Sequence, residues 1–276
     1  MLVMDLHYTL IILLSCIGDE LIYLLLSSTL TIVRRGLGIK ILYILLISMF
    51  INQVLKYSLN VQRPPTLSNR IDKLPQIIGY LVEGEGPSLP SGHTQISTTF
   101  WTSLALSTYS KVVVVAMVSL PILIAYSRVA LGMHSPLDVV AALIIGYSLP
   151  LIIYLTEMKF SKYGGNYRSH VDLLLMTLIF LSSTVLSYPK LQSISGLIAS
   201  VLVTRYMTTG LEVGISKRIK TAIISLTTLG LGYFLIRFTP SIAVNEFIIS
   251  LATGLIAYLV IPVTVGVFKL RKLSSL

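Results

Sequence analysis

Nine times along this chain an apolar run is closed by a short polar break. The runs cover about residues 20–33, 38–58, 92–108, 112–131, 136–156, 171–188, 193–209, 219–237 and 243–268. A helix of about 20 apolar residues crosses the hydrocarbon core of a bilayer. Inside that core every backbone N–H and C=O needs a partner within the protein, so runs of this kind are expected as helices. The expected fold is all-α, a polytopic membrane helix bundle of about nine spans. A shorter apolar piece at 8–17, closed by Gly18-Asp19-Glu20, reads as an interfacial or half-inserted helix ahead of the first span.

Composition bears on the solvent of this fold and on its partners. Hydrophobic residues make up 54% of the chain and charged residues 12%, against about 25% charged in a soluble domain. The mean hydropathy is +0.86. A net charge of +10 on a soluble protein would raise nucleic-acid binding. Here the basic residues lie between apolar runs and read as membrane-face anchors and head-group contacts, so no nucleic-acid partner is expected. Cys16 is the single cysteine, which excludes a disulfide framework and a thiolate zinc site. His7, His93, His134 and His170 are scattered, and no metal or other cofactor is expected. No basic stretch precedes the first apolar residues, so no cleaved leader is expected.

Orientation follows from the bases. With nine alternating spans, most of the 21 Lys and Arg fall on the face reached after the first span. The positive-inside rule makes that face cytoplasmic. The polar segments described next then sit at the external ends of their spans.

Ionisable residues in or near hydrocarbon are costly and mark functional sites. Three segments hold them. In the first, Lys56 and Arg63 stand seven apart, ahead of Pro64 and Pro65. That spacing places both cations on one face of a helix that the prolines stop. They either attract an anion from elsewhere or snorkel to lipid head groups. In the second, Pro90-Ser91-Gly92-His93 precedes an apolar run. Ser91 is the expected N-cap, Gly92 permits close backbone approach, and the helix start suits a phosphate. The plainer reading is a capped span with an interfacial histidine.

The third segment runs Ser127-Arg128, five residues, His134, three residues, Asp138. Ser135 and Pro136 read as N-cap and first residue of a helix. Asp138 in its first turn is within reach of one His134 nitrogen, which would leave the other as a nucleophile. The alternative is a structural pair at a helix cap. Arg128 adds a fork for phosphate oxygens. Taken together, the three cations, two histidines and carboxylate suit phosphoryl transfer.

The pattern Lys-x6-Arg-Pro, Pro-Ser-Gly-His and Ser-Arg-x5-His-x3-Asp resembles the type 2 phosphatidic acid phosphatase family, which also covers vanadium haloperoxidases. All three motifs stand intact and in the family's order within about residues 50–140. The resemblance implies a six-span phosphatase core, about residues 17–156 of a single membrane domain over 1–276. Residues 157–276 would be a C-terminal membrane extension. It implies that His134 forms a phosphohistidine, that Asp138 orients it, and that His93 protonates the leaving group. Lys56, Arg63, Arg128, Ser91 and Gly92 would bind the phosphoryl oxygens, and no metal would take part. The stretch Gly18-Asp19-Glu20-Leu21-Ile22-Tyr23 is also similar to relatives acting on lipid or isoprenoid phosphates.

The expected substrate is a lipid phosphate. An isoprenoid diphosphate carrier is favoured, because an external site is where such a diphosphate is left after sugar transfer. A lipid monophosphate phosphatase, a lipid phosphotransferase and a non-enzymatic membrane scaffold are the other readings. Asp19 and Glu20 are expected to cap a helix rather than line the site entrance. Glu83 and Glu85 read as an exposed loop pair rather than a gate, and Arg237 and Glu246 as an ion pair across a short turn.

Overall fold

The computed structural model of the chain describes residues 6–65, 78–79, 82, 86–160, 165–186, 188–238 and 243–271, except the side chains at 160, 165–169, 233–238 and 243–245. Glu83, Glu85 and the side chain of Arg237 lie outside the described residues. The fold is a helix bundle. Each of the nine apolar stretches is helical: Glu20–Val33, Arg35–Leu59, Gly92–Thr108, Lys111–Ala130, Pro136–Phe160, Gly165–Leu186, Pro189–Met207, Ile215–Phe238, and Ala243–Leu255 continued to Thr264. Four of them meet the length and hydropathy of a membrane span alone: Arg35–Leu59, Lys111–Ala130, Pro136–Lys159 and Glu246–Thr264. The others are shorter, or carry polar residues that a bundle interior accepts. Gly92–Thr108 is an example, with Thr94, Gln95, Ser97, Thr98 and Thr99 all buried.

The apolar piece before the first span is the helix Leu6–Ile17, which meets Glu20–Val33 at a bend of 48°. The two helices together have the length and hydropathy of one broken span or a re-entrant loop. Asp19 caps the second helix, its Oδ1 accepting the Leu21 N–H at 2.9 Å.

The chain divides into two compact units, Met1–Leu24 with Ile51–Leu155, and Leu25–Phe50 with Thr156–Leu276. In the first, Gly146 lets the Pro136–Phe160 helix close on Gly92–Thr108, since a Cβ there would stand 2.5 Å from Thr98 Cβ. Ile11, Ile12, Val82, Leu131 and Met133 form an apolar cluster in the same unit.

In the second unit Pro189–Met207 and Ala243–Leu255 approach through small residues, the usual solution in lipid. A Cβ on Gly196 would stand 2.5 Å from the Phe247 carbonyl oxygen. The last span contains a π-turn at Ile256–Val260. Pro262 has no N–H for the carbonyl four residues back, so the ladder widens. Ser225 Oγ donates to the Ala257 carbonyl at 2.8 Å. The helix stops at Thr264 rather than reaching 268. Gly266, at φ 72°, turns the chain into a short strand, Phe268–Leu270, antiparallel to Thr208–Gly210. This strand pair is the departure from an all-α chain.

Gly196→Ala should therefore destabilise the protein by roughly 1–3 kcal/mol through overpacking, although alanine is the better helix former. Gly230→Ala, where an added Cβ meets nothing within 4 Å, should be neutral or stabilising. Thermal unfolding in detergent compares the two.

Candidate active site

The site belongs to the first unit, where two helix starts and a helix end converge. The Lys111–Ala130 helix closes in a Schellman turn: Met133 N–H donates to the Arg128 carbonyl at 3.0 Å and Gly132 N–H to Val129 at 2.9 Å. Gly132 takes the left-handed conformation this turn requires, φ 70°. Two residues later Ser135 opens the next helix. Its hydroxyl accepts the Asp138 N–H at 3.3 Å, and Asp138 Oδ2 accepts the Ser135 N–H at 2.7 Å. This reciprocal cap holds Asp138 beneath His134.

His134 Nδ1 lies 3.6 Å from Asp138 Oδ2, beyond hydrogen-bond range. The link between them is Ser88, which sequence reasoning missed. Its hydroxyl donates to Asp138 Oδ2 at 2.6 Å and lies 3.2 Å from His134 Nδ1, so it accepts the proton of the Nδ1–H tautomer. That tautomer leaves Nε2 with its lone pair. Ser88 lies in no motif, and its place depends on the Val61 carbonyl, which takes the Ser88 N–H at 2.8 Å. No local pattern reports that contact.

His134 sits in the turn between two spans and is buried. Burial pushes its imidazole down to about 4, opposed by Asp138 and reinforced by the charges of Arg128, Arg63 and Lys56. The ring is thus neutral at physiological pH, the form a nucleophile needs. All three cations act on this one ring.

Arg128 is fully buried. Its Nη1 donates to Ser15 Oγ at 2.5 Å and to the Val82 carbonyl. Lys56, 4% exposed, is in the last turn of Arg35–Leu59. Arg63 departs from expectation. The helix ends at Leu59, because Asn60 adopts φ 44°, a conformation asparagine tolerates. Residue 63 precedes a proline, which disfavours helix there. Arg63 therefore stands in an extended segment rather than on a helix face with Lys56, and its Nε donates to the Gly86 carbonyl at 2.9 Å.

Ser91 holds the N-cap position of Gly92–Thr108 in extended backbone, with no side-chain cap bond. Its buried hydroxyl has no hydrogen-bond partner among the described residues. Its N–H donates to the Asp138 carbonyl at 3.1 Å, which ties the two helix starts together. Gly92 faces Asn52: an added Cβ would stand 3.6 Å from Asn52 Oδ1. Asn52 Nδ2 is held by Gln95 Oε1 at 2.9 Å and by the Pro90 carbonyl at 3.3 Å. Buried His93 follows Gly92, with Nε2 at 3.8 Å from Asp19 Oδ2. Asp19 therefore both caps its helix and faces the motif histidine. Glu246, expected to pair with Arg237, accepts a hydrogen bond from Ser193 at 3.0 Å.

Among the described residues no three His, Cys, Asp or Glu side chains come together as a metal-binding set. The arrangement offers a neutral, oriented imidazole, a second histidine at a helix N-terminus, and three cations.

Comparison with known proteins agrees with the motifs. No solved structure gives a significant match. The chain is similar to an "Undecaprenyl-diphosphatase" of Sulfolobus acidocaldarius, 30% identical over 141 residues, which are 50% of this chain and 64% of that protein. Residues 37–162 match the PAP2 superfamily model. This stretch carries all three motifs, from Lys56 to Asp138, and is the part of the chain similar to the PAP2 superfamily.

Proposed function

We propose that this protein is a membrane phosphatase that removes a phosphate from a lipid phosphate by way of a phosphohistidine on His134. The observation that carries the reading is the Asp138–Ser88–His134 arrangement, which gives a ring kept neutral by burial a defined tautomer within the influence of three cations. Nε2 of His134 attacks phosphorus, and the bond from phosphorus to the bridging oxygen breaks with its electron pair on oxygen. His93 gives that oxygen a proton. Lys56, Arg63 and Arg128, with the Ser91 hydroxyl and the N–H groups that open the Gly92 helix, stabilise the charge on the transferring group. In the second step neutral His93 takes a proton from water as the water attacks the phosphohistidine, and inorganic phosphate leaves.

The favoured substrate is an isoprenoid diphosphate. The similarity to an undecaprenyl-diphosphatase supports this class, as does the expected external placement of the site. Cysteine accessibility at loop positions tests that placement, and access from the cytoplasmic side alone would overturn it.

The deciding experiment is phosphate release by purified protein in detergent with excess chelator, from polyprenyl diphosphate and phosphatidate in parallel. His134→Ala should abolish release while the protein stays folded, and the diphosphate should be preferred. A strict magnesium requirement overturns the metal-free mechanism. Equal or better turnover of phosphatidate overturns the substrate. A labelled product other than inorganic phosphate makes the protein a phosphotransferase.

Two further outcomes are expected. The acid limb of kcat/KM against pH should fall near 4 rather than at the ordinary imidazole value near 6.5. The sign is that of a depressed histidine: the neutral form is secure above about 6.5, and its contribution to stability is lost as pH falls toward 4. Ser88→Ala removes a hydrogen bond to a charged group, worth roughly 1.5–3 kcal/mol. That corresponds to about a 10- to 100-fold fall in kcat, with KM little changed. A change confined to KM would place Ser88 in substrate binding.

A further inference from the structure

Two histidines serve one phosphoryl group in the reading above, and they need opposite protonation states. His134 attacks as the neutral ring, whereas His93 has to carry a proton to the leaving oxygen. Both lie in a site whose motif cations are Lys56, Arg63 and Arg128. Positive neighbours favour a neutral imidazole, which suits the nucleophile and defeats the acid. A site that assigns different roles to two like groups needs environments that push them apart.

Asp19 supplies that difference. It lies outside all three motifs, at the bend between Leu6–Ile17 and Glu20–Val33. It is 6% exposed, and its Oδ2 is 3.8 Å from Nε2 of the buried His93. The approach is built into the bend. An added Cβ on Gly18 would stand 2.6 Å from Ile124 Cγ2, so glycine lets this turn close on Ile124, with His93 Cβ in ordinary contact at 3.4 Å. The Leu21 N–H fixes the other oxygen, Oδ1, at 2.9 Å, and the carboxylate thus keeps Oδ2 toward the ring. A distance of 3.8 Å is long for a hydrogen bond, but such contacts tighten when substrate completes a site.

We propose that Asp19 is the positioning residue for the acid: it holds His93 by Nε2 and compensates the charge of its protonated ring. The protonated ring carries a hydrogen on each nitrogen. With Nε2 held against Asp19, the Nδ1 hydrogen is the one given to the leaving oxygen. As the phosphorus–oxygen bond breaks, that hydrogen goes to oxygen, and His93 becomes neutral and ready to accept a proton from water. The two histidines then each have a carboxylate, Asp138 through Ser88 for the nucleophile and Asp19 for the acid. This inference rests on the assignment of His93 as the acid.

The test separates charge from capping. Asparagine and serine are N-caps as good as aspartate, so Asp19→Asn and Asp19→Ser keep the cap and lose the charge. Asp19→Glu keeps the charge. The substrates are a prenyl diphosphate and the prenyl monophosphate of the same tail. The first expels a phosphate, a weak base. The second expels an alkoxide, which needs a proton. The readout is the ratio of kcat/KM for the two, by phosphate release, with melting in detergent as the check on folding.

Asp19→Asn and Asp19→Ser should depress the monophosphate by about tenfold or more relative to the diphosphate, and Asp19→Glu should restore much of the ratio. His93→Ala should move the ratio the same way. An equal loss on both substrates in the Asp19 variants, with His93→Ala still moving the ratio, overturns the pairing and leaves the acid assignment standing. A ratio that His93→Ala leaves unmoved overturns the acid assignment, and the inference falls with it.

Discussion

One carboxylate oxygen organises the candidate site. Asp138 Oδ2 accepts the backbone N–H that starts its own helix and the hydroxyl of Ser88, and stands beside the imidazole of His134. The first contact settles where a helix begins. The second anchors the strand-like segment that returns from the long loop. Through the same Ser88 hydroxyl it sets which nitrogen of the ring is free. A helix start, a loop end and a tautomer are therefore set together, and a shift in any one is felt by the others. The backbone carbonyl of the same residue takes the Ser91 N–H, which brings the second helix start into the same assembly. The N-terminal end of the Gly92 helix is thereby placed by the residue that also stands beside His134.

Around this anchor the interior is unusually polar for a chain of such hydropathy. Arg128 is fully buried, and the Gly92–Thr108 helix buries threonines, serines and a glutamine. Burying a charge is costly, because it gives up the water that solvates the group. Here protein dipoles replace the solvent around Arg128, through a serine hydroxyl and a carbonyl. Such fixed partners need no reorganisation when charge develops on a phosphoryl group, which is the source of electrostatic catalysis in a water-poor site.

The sequence carried the helices and the motif residues in full view, because apolar runs and fixed ionisable spacings are local signals. His134, Asp138, Arg128 and Lys56 were legible for that reason, and the charges of the cations do converge on His134. Arg63 was placed on the wrong element. Seven-residue spacing suggested a helix face, whereas Asn60 ends the helix first and Pro64 keeps residue 63 extended. Ser88, Asn52 and the contact between Asp19 and His93 were illegible, since each depends on segments brought together from distant parts of the chain. The π-turn and closing strand of the last span escaped notice for another reason. An apolar run has no mark for where its hydrogen bonds change register, and only Pro262 and Gly266 hint at it.

The turn between Arg128 and His134 also bears on how such a chain tolerates change. Its hydrogen bonds count residues, from Met133 back to Arg128 and from Asp138 back to Ser135. One inserted residue would break that count and move the ring away from its partners. The long loop is different. Its two ends are clamped where Ser88 meets Val61 and Arg63 meets Gly86. Between the clamps the interval is pinned once more, at Val82, which is buried in the apolar cluster and whose carbonyl takes a hydrogen bond from Arg128. Added length is then tolerated between these anchor points, where doubling a loop costs only about 0.6 kcal/mol in closure entropy, and not at Val82 itself.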